Sequence, residues 1–304
     1  MIYTTKLKTD SKSREILPGN FEESLFVCMK RSLDRYAHRL IPWHWHDSFE
    51  IDYVLQGEMD FRTTDSSAVM KQGDIFFINQ GALHRFQGHE DSPCVVYSIL
   101  FDMHFLSGIY NSQIERKYIL PIKESGIDYY VFSPDSPERL AMVQSILNAI
   151  EILKADPPGW EMLVRSELSD FWIQLLGETK DLRQNTEKTD VKDKDRIKKM
   201  LEFIHTSYAD KIAVEDIASV ADVSERECSR CFDRCIGKSP MKYLTDYRIH
   251  AAAEMLRETD LSVLDISEAC GFSSSSYFGK CFSELMGCTP KEYRSTNGID
   301  KDAI

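Results

Sequence analysis

The chain has 304 residues, 42% of them hydrophobic, with 37 Lys+Arg against 49 Asp+Glu for a net charge of −12. That length predicts two domains, and no apolar run approaches the roughly 20 residues of a membrane-spanning helix. The acidic balance argues against a generally basic nucleic-acid binder and puts weight on local positive faces. The first residues, MIYTTKLKTDSKSREILPG, contain no apolar signal core, so a cytoplasmic protein with its eight Cys held as thiols is expected.

From about Leu25 to Phe132 the pattern is all-β: short runs (FEIDYVLQG, DIFFIN, CVVYSILF, KYILPI) alternate with Gly, Asp and Asn punctuation. Inside it stands His44-Trp-His46-Asp-Ser-Phe-Glu50, then Gly57, Gly73-Asp74, Asn79-Gln80-Gly81 and His84. On a strand, positions 44, 46 and 50 share parity and can face one side. Two His, a Glu and a third His form a competent ligand set for a divalent metal with open coordination positions. Trp43 and Trp45 flank the histidines and could stack on a sugar ring. His38, His89, His104, His205 and His250 lack such company and read as ordinary. The HxH, Glu, Gly spacing resembles the first motif of the cupin superfamily, which implies a double-stranded β-helix. The second motif is matched less fully, with Asn79 where a Pro is usual. The effector-binding candidates are Trp43, His44, His46, Glu50 and His84; the metal candidates are His44, His46, Glu50 and His84.

Further along, Leu140, Val143, Ile146, Leu147, Ile150 and Leu153 fall at helical spacing within 136–155. Asp156-Pro-Pro-Gly159 breaks the chain, and Trp160–Gly177 supplies a second helix through Leu163, Leu168, Phe171, Trp172 and Leu175. This antiparallel pair either covers the β domain or offers an apolar stripe to a second subunit. Residues 178–194 are polar and read as an exposed linker.

The last third repeats itself. Val214, Asp216 and Ile217 recur as Val263, Asp265 and Ile266; Cys231, Phe232, Gly237, Pro240 and Tyr243 recur as Cys281, Phe282, Gly287, Pro290 and Tyr293. Each copy is a short helix, a turn and a longer helix closed by Gly, the helix-turn-helix pattern. Ser224-Glu-Arg-Glu227 and Thr289 with Glu292 read as capping boxes, and Pro240–Glu258 as one long helix between the units. Residues 195–295 carry 14 Lys+Arg against 17 Asp+Glu, a net of −3 and so not basic. CSRCF (228–232), FGKCF (278–282), GKSPMKY, GCTPKEY and GFSSSSYF resemble the AraC-type transcriptional regulators over about 100 residues. The resemblance implies a two-lobed, seven-helix DNA-binding domain and an N-terminal effector or oligomerisation domain. With Cys228 and Phe232 turned inward, Arg226, Ser229 and Arg230 face outward; with Phe278 and Phe282 inward, Ser275, Ser276, Gly279 and Lys280 do. Arg suits bidentate guanine contacts, so the first helix is expected to carry more base specificity and the second more backbone positioning. The alternative for Arg230 is a salt bridge to Glu227 or Asp233. Cys228, Cys231 and Cys235 share one helix face, read first as core packing and second as a redox or metal site.

The expected fold is therefore two-domain: an all-β cupin-like double-stranded β-helix with a helix pair, then an all-α domain with two helix-turn-helix units joined by a long helix. The expected divisions are 1–135 sensor, 136–177 dimerisation pair, 178–194 linker, 195–295 DNA-binding domain and 296–304 tail. The expected function is a sequence-specific DNA-binding transcription regulator, not an enzyme, controlled by a small-molecule effector and acting as a homodimer, with RNA polymerase a further contact. Its rivals are a metal-dependent cupin enzyme with a DNA-binding appendage, and a regulator governed by Cys redox state or a partner protein.

Overall fold

The computed structural model describes residues 2–10, 13–89, 92–185 and 191–297. The chain forms two compact units, the first chiefly residues 14–35 and 39–191, the second chiefly 192–304.

In the first unit the strands are β1 (Ile2–Tyr3), β2 (Phe26–Ser32), β3 (Leu40–His44), β4 (Phe49–Gln56), β5 (Glu58–Thr63), β6 (Ser67–Lys71), β7 (Ile75–Ile78), β8 (His84–Gly88), β9 (Val95–Phe101) and β10 (Tyr129–Phe132). One sheet runs β1-β2-β9-β4-β7-β10 and the other β3-β8-β5-β6. Among the described residues the pairings between these strands are antiparallel except β1 with β2. Strand alternation sorts the two faces of β4. Phe49 and Ile51 join an apolar core with the helices, whereas Glu50 and Asp52 are buried on the opposite face. Between the sheets, Phe76 of β7 meets Phe61 of β5 and Phe86 of β8 at centroid distances of 5.5 and 5.8 Å.

Three short helices, α1 (Phe21–Ser24), α2 (Met103–Ser107) and α3 (Leu120–Lys123), decorate this scaffold. KYILPI, expected as a strand, is instead a π-helical turn (Glu115–Ile119) running into α3. Ile119 and Ile122, three residues apart, both reach the core, a spacing that only a helical turn satisfies. Pro121 sits in the first turn of α3, where its missing N–H costs little.

The helix pair is α4 (Pro137–Ala155) and α5 (Trp160–Glu178). Phe171 and Trp172 of α5 pack on the outer sheet face, Trp172 lying 4.7 Å from Phe49 between ring centroids. Leu140 and Leu163, expected on the buried faces, are exposed; Met142 and Val164 take those places. The rest of the expected stripe packs inward, with Val143, Ile146, Ile150 and Leu153 of α4 and Leu168, Phe171, Trp172 and Leu175 of α5 buried in the core; only its first position in each helix is displaced. Within 178–194, Lys180–Asn185 forms helix α6 and Val191 opens α7 (Val191–Ser207), while residues 186–190 lie outside the described set. Of the expected tail 296–304, residues 298–304 also lie outside it.

The second unit continues with α8 (Val214–Ser219), α9 (Glu225–Ile236), α10 (Pro240–Glu258), α11 (Val263–Ala269), α12 (Ser275–Met286) and α13 (Pro290–Asn297), so α7–α13 supply seven helices among the described residues. Capping chemistry sets the boundaries. Ser224, Ser239 and Ser274 each accept from the amide three residues on, and Gly237 and Gly287 close α9 and α12 with φ of 75° and 72°. The Thr289–Glu292 box forms in both directions. The Ser224–Glu227 box forms only by half: Ser224 caps the Glu227 amide, but the Glu227 carboxylate lies 3.6 Å from Arg230.

Candidate functional site

Two regions carry the candidate functional side chains. The first lies between the sheets, where the residues named by the HxH motif converge from separate elements. His44 ends β3, His46 lies in the following turn, Glu50 stands on β4 and His84 opens β8. The expectation that 44, 46 and 50 share one strand face is therefore corrected: the turn after β3 swings His46 inward, and the two sheets supply opposite walls. His44 and His84 are paired across the β3–β8 ladder, with ring centroids 4.2 Å apart. His46 Nε2 lies 2.8 Å from Glu50 Oε2, and His84 Nε2 lies 3.3 Å from the same oxygen. One ligand atom from each of His46, Glu50 and His84 lies within 4.8 Å of the others. His44 belongs to the chamber but not to that closest set.

A device invisible in the sequence orients all three rings. The Nδ1 atoms of His44, His46 and His84 each lie 2.9 Å from a backbone carbonyl oxygen, those of Pro42, Ser48 and Ala82. An Nδ1–H donated to a carbonyl leaves Nε2 facing the chamber, the arrangement that orients metal-ligating imidazoles.

The electrostatics follow from burial. For His46, burial lowers the imidazole pKa, but the Glu50 hydrogen bond and charge outweigh it and hold it above its ordinary value. Burial pushes Glu50 upward, yet hydrogen bonds and charge from His46 and His84 hold it well below the usual carboxylate range. His44 is held well below the usual histidine range by burial, then by the neighbouring His84.

Sequence reasoning missed two further groups. Asp52, two residues beyond Glu50 on the same strand face, has both carboxylate oxygens buried without a hydrogen-bond partner. Burial, then the Glu50 charge, pushes its carboxyl well above the ordinary range. Glu15 and Arg31 form a buried ion pair beside the chamber. Period-two alternation in FEIDYV could have flagged Asp52; Glu15 could not have been flagged, since its segment reaches the chamber only because its amide bonds the Trp45 carbonyl at 2.8 Å. Trp43 is buried, with the Arg85 guanidinium 5.8 Å from its ring centroid.

The second region is the outer surface of the helix-turn-helix units. Cys228, Cys231, Phe232 and Cys235 of α9 and Phe278 and Phe282 of α12 are buried. Arg226, Ser229, Arg230, Ser275, Ser276 and Lys280 are exposed and Gly279 is half-buried. A side chain at Gly279 would meet nothing within 4 Å. Arg230 and Lys280 occupy the same register in the two copies, fifty residues apart by their numbers. Each has a loose carboxylate neighbour, Glu227 at 3.6 Å and Glu284 at 3.8 Å. Exposed pairs of that kind contribute about 0–1 kcal/mol and leave both cations available. Tyr277, unnamed in the sequence reading, also stands exposed on α12.

Residues 30–171 match the family described as the AraC-like ligand binding domain, and residues 217–296 match a helix-turn-helix domain family. The chain is 27% identical to the HTH-type transcriptional regulator YdeC of Bacillus subtilis (strain 168), over 95% of this chain and 98% of that protein. It is 25% identical to the HTH-type transcriptional activator RhaS of Enterobacter sp. (strain 638), covering 86% and 90% respectively. It is also 25% identical to the melibiose operon regulatory protein of Escherichia coli (strain K12), covering 86% and 85%. A ligand-binding domain and a helix-turn-helix domain in one chain, matched end to end by transcriptional regulators, place this protein in the AraC-type family of DNA-binding transcriptional regulators.

Proposed function

We propose that this regulator reads paired DNA sites through α9 and α12 and is controlled by a small molecule taken into the chamber between its sheets. The observation that carries the first half is the equivalence of Arg230 and Lys280: two exposed cations at one register of two repeated helices. In this reading Arg226, Ser229 and Arg230 contact base edges, with Arg230 the main discriminator. Ser275, Ser276, Gly279 and Lys280 let the second helix approach and hold the phosphate backbone. The protein works in the cytoplasm as a homodimer through the α4–α5 pair, with RNA polymerase a further contact, and its relatives' roles support regulation in place of catalysis.

The effector reading rests on the buried polar atoms that the fold leaves without partners: His44 Nε2, Glu50 Oε1 and both Asp52 oxygens. Such atoms are costly unless something bonds them. A wall of unpartnered polar atoms suits a ligand that presents hydroxyl groups, which donate and accept, as a sugar does, and one relative is named for a melibiose operon. A second reading has its own observation: one ligand atom from each of His46, Glu50 and His84 lies within 4.8 Å of the others, and these three would hold a divalent cation there. Control requires that the ligand bind the two conformational states of the protein with different affinity.

The test is selection of bound fragments from a random DNA pool with the purified chain, with and without candidate sugars. Enrichment of a motif with two contact blocks about one helical turn apart, roughly 34 Å, supports tandem reading. A pool that stays random at every salt concentration rejects it.

A further inference from the structure

Cys231 and Cys235 lie one turn apart on the inner face of α9, and both are buried. Each perturbs the ionisation of the other, the Cys231 thiol being pushed up and that of Cys235 down. Cys231 Sγ also lies 3.8 Å from the Asp193 carbonyl oxygen in the first turn of α7, and Arg234 bridges to the Asp193 carboxylate. Packing alone does not call for this pair. The duplicate unit fills the equivalent positions, fifty residues on, with Cys281 and Leu285.

The spacing limits the chemistry. Helix residues four apart have Cβ atoms about 5–6 Å apart, whereas a disulfide needs about 3.5–4.5 Å. Oxidation to a disulfide would therefore distort α9. A soft centre that bonds two sulfurs tolerates the wider spacing, and sulfur ligands select such centres.

We propose that Cys231 and Cys235 form a dithiol site for a trivalent arsenical, and that its occupation loosens α9 from α7 and weakens DNA binding. With an organic arsenoxide, two As–S bonds form and the As=O bond breaks. The oxygen leaves as water carrying both thiol protons, and no oxidant or reductant is needed. The thiolate is the attacking form. The hydrogen bond from Cys231, then the charge of Arg234, hold Cys235 below the ordinary thiol range against the effect of burial. The adduct does not depend on α9 reading DNA; the loss of DNA binding does, and so rests on the function proposed above.

The test titrates the reduced, full-length protein with phenylarsine oxide and follows intact mass and DNA binding together. One arsenical per chain is expected, removed by dithiothreitol and not by a monothiol at equal thiol concentration. Cys231→Ser and Cys235→Ser should each abolish it. Cys235→Leu copies the residue of the second unit, so it should stay folded, bind DNA and ignore the reagent. No adduct on the native chain, or an adduct that persists in all three variants, overturns the site. An adduct that leaves DNA binding intact overturns the regulatory consequence.

Discussion

The imidazole of His46 and the carboxylate of Glu50 meet at 2.8 Å, both fully withdrawn from solvent, although one belongs to a turn and the other to a strand of the larger sheet. Each raises the tendency of the other to be charged, and a cation could replace the proton they share. The apo protein is expected to take up one divalent ion. Glu50→Gln and His84→Ala should each weaken that binding by about tenfold or more, the scale on which metal sites respond even to lost supporting contacts. Calorimetric titration with zinc or nickel measures this; equal affinity in all three proteins would remove the chamber as a metal centre.

Arg230→Ala should cost about 1–3 kcal/mol of DNA binding and relax the preference at one base position, whereas Lys280→Ala should mainly reduce the salt slope by about one. Binding curves on the selected operator and on scrambled DNA, at several salt concentrations, separate the two. Equal, sequence-independent losses from both changes contradict the division between reading and positioning.

His205 gives the second unit an acid limit. Burial pushes its imidazole down to about 3, with Nε2 2.6 Å from the Tyr243 hydroxyl and its ring stacked 4.1 Å from that of Tyr247. An unfolded histidine titrates near 6.5. Below that pH the unfolded chain binds a proton that the folded chain refuses. The contribution is thus complete above about pH 6.5 and is lost as pH falls toward 3, by about 1.4 kcal/mol per unit from this group. Denaturant unfolding at several pH values should show a shallower slope for His205→Phe than for the native chain; identical slopes would disprove the burial argument.

Two glycines with positive φ should respond differently to alanine. At Gly271, φ is 76° and an added Cβ would lie 2.6 Å from the Ala209 carbonyl oxygen, whereas at Gly287, φ is 72° and nothing lies within 4 Å. Gly287→Ala should cost about 1 kcal/mol for the backbone alone. Gly271→Ala should cost more, about 2–3 kcal/mol, because backbone must also move. The two unfolding midpoints, measured side by side, should fall in that order.

Trp172→Ala should destabilise the first unit by about 3–5 kcal/mol. Its ring sits against Phe49, Phe77 and Phe101, and its Nε1–H donates to the Tyr118 carbonyl at 3.0 Å. Thermal unfolding monitored on the β domain checks this, and a change within 1 kcal/mol would mean that α5 is not part of that core.

The α-helical half was legible because its information is local. Ser224, Ser239, Gly237 and Gly287 each act on the backbone within a few residues, and a duplicated register identifies the outward positions by internal comparison. The β half was legible only as a list of strands and a list of candidate ligands. KYILPI shows the limit: a β-rich composition yielded to a helical turn because Ile119 and Ile122 had to reach one core and Trp172 needed the Tyr118 carbonyl.

By itself the sequence determined the tandem helix-turn-helix architecture, its caps, the outward faces of α9 and α12, and the residue types of the chamber. Periodicity, capping and hydrogen-bonding capacity are properties of short segments and survive in one dimension. Only the tertiary structure decided that His46 reaches Glu50 through a turn, and that three backbone carbonyls each engage the Nδ1 of a chamber histidine. It alone buried Asp52 without a partner and brought Glu15 and Arg31 alongside. Those outcomes depend on which strands pair and how the two sheets face each other, and such long-range closures leave no period in the chain.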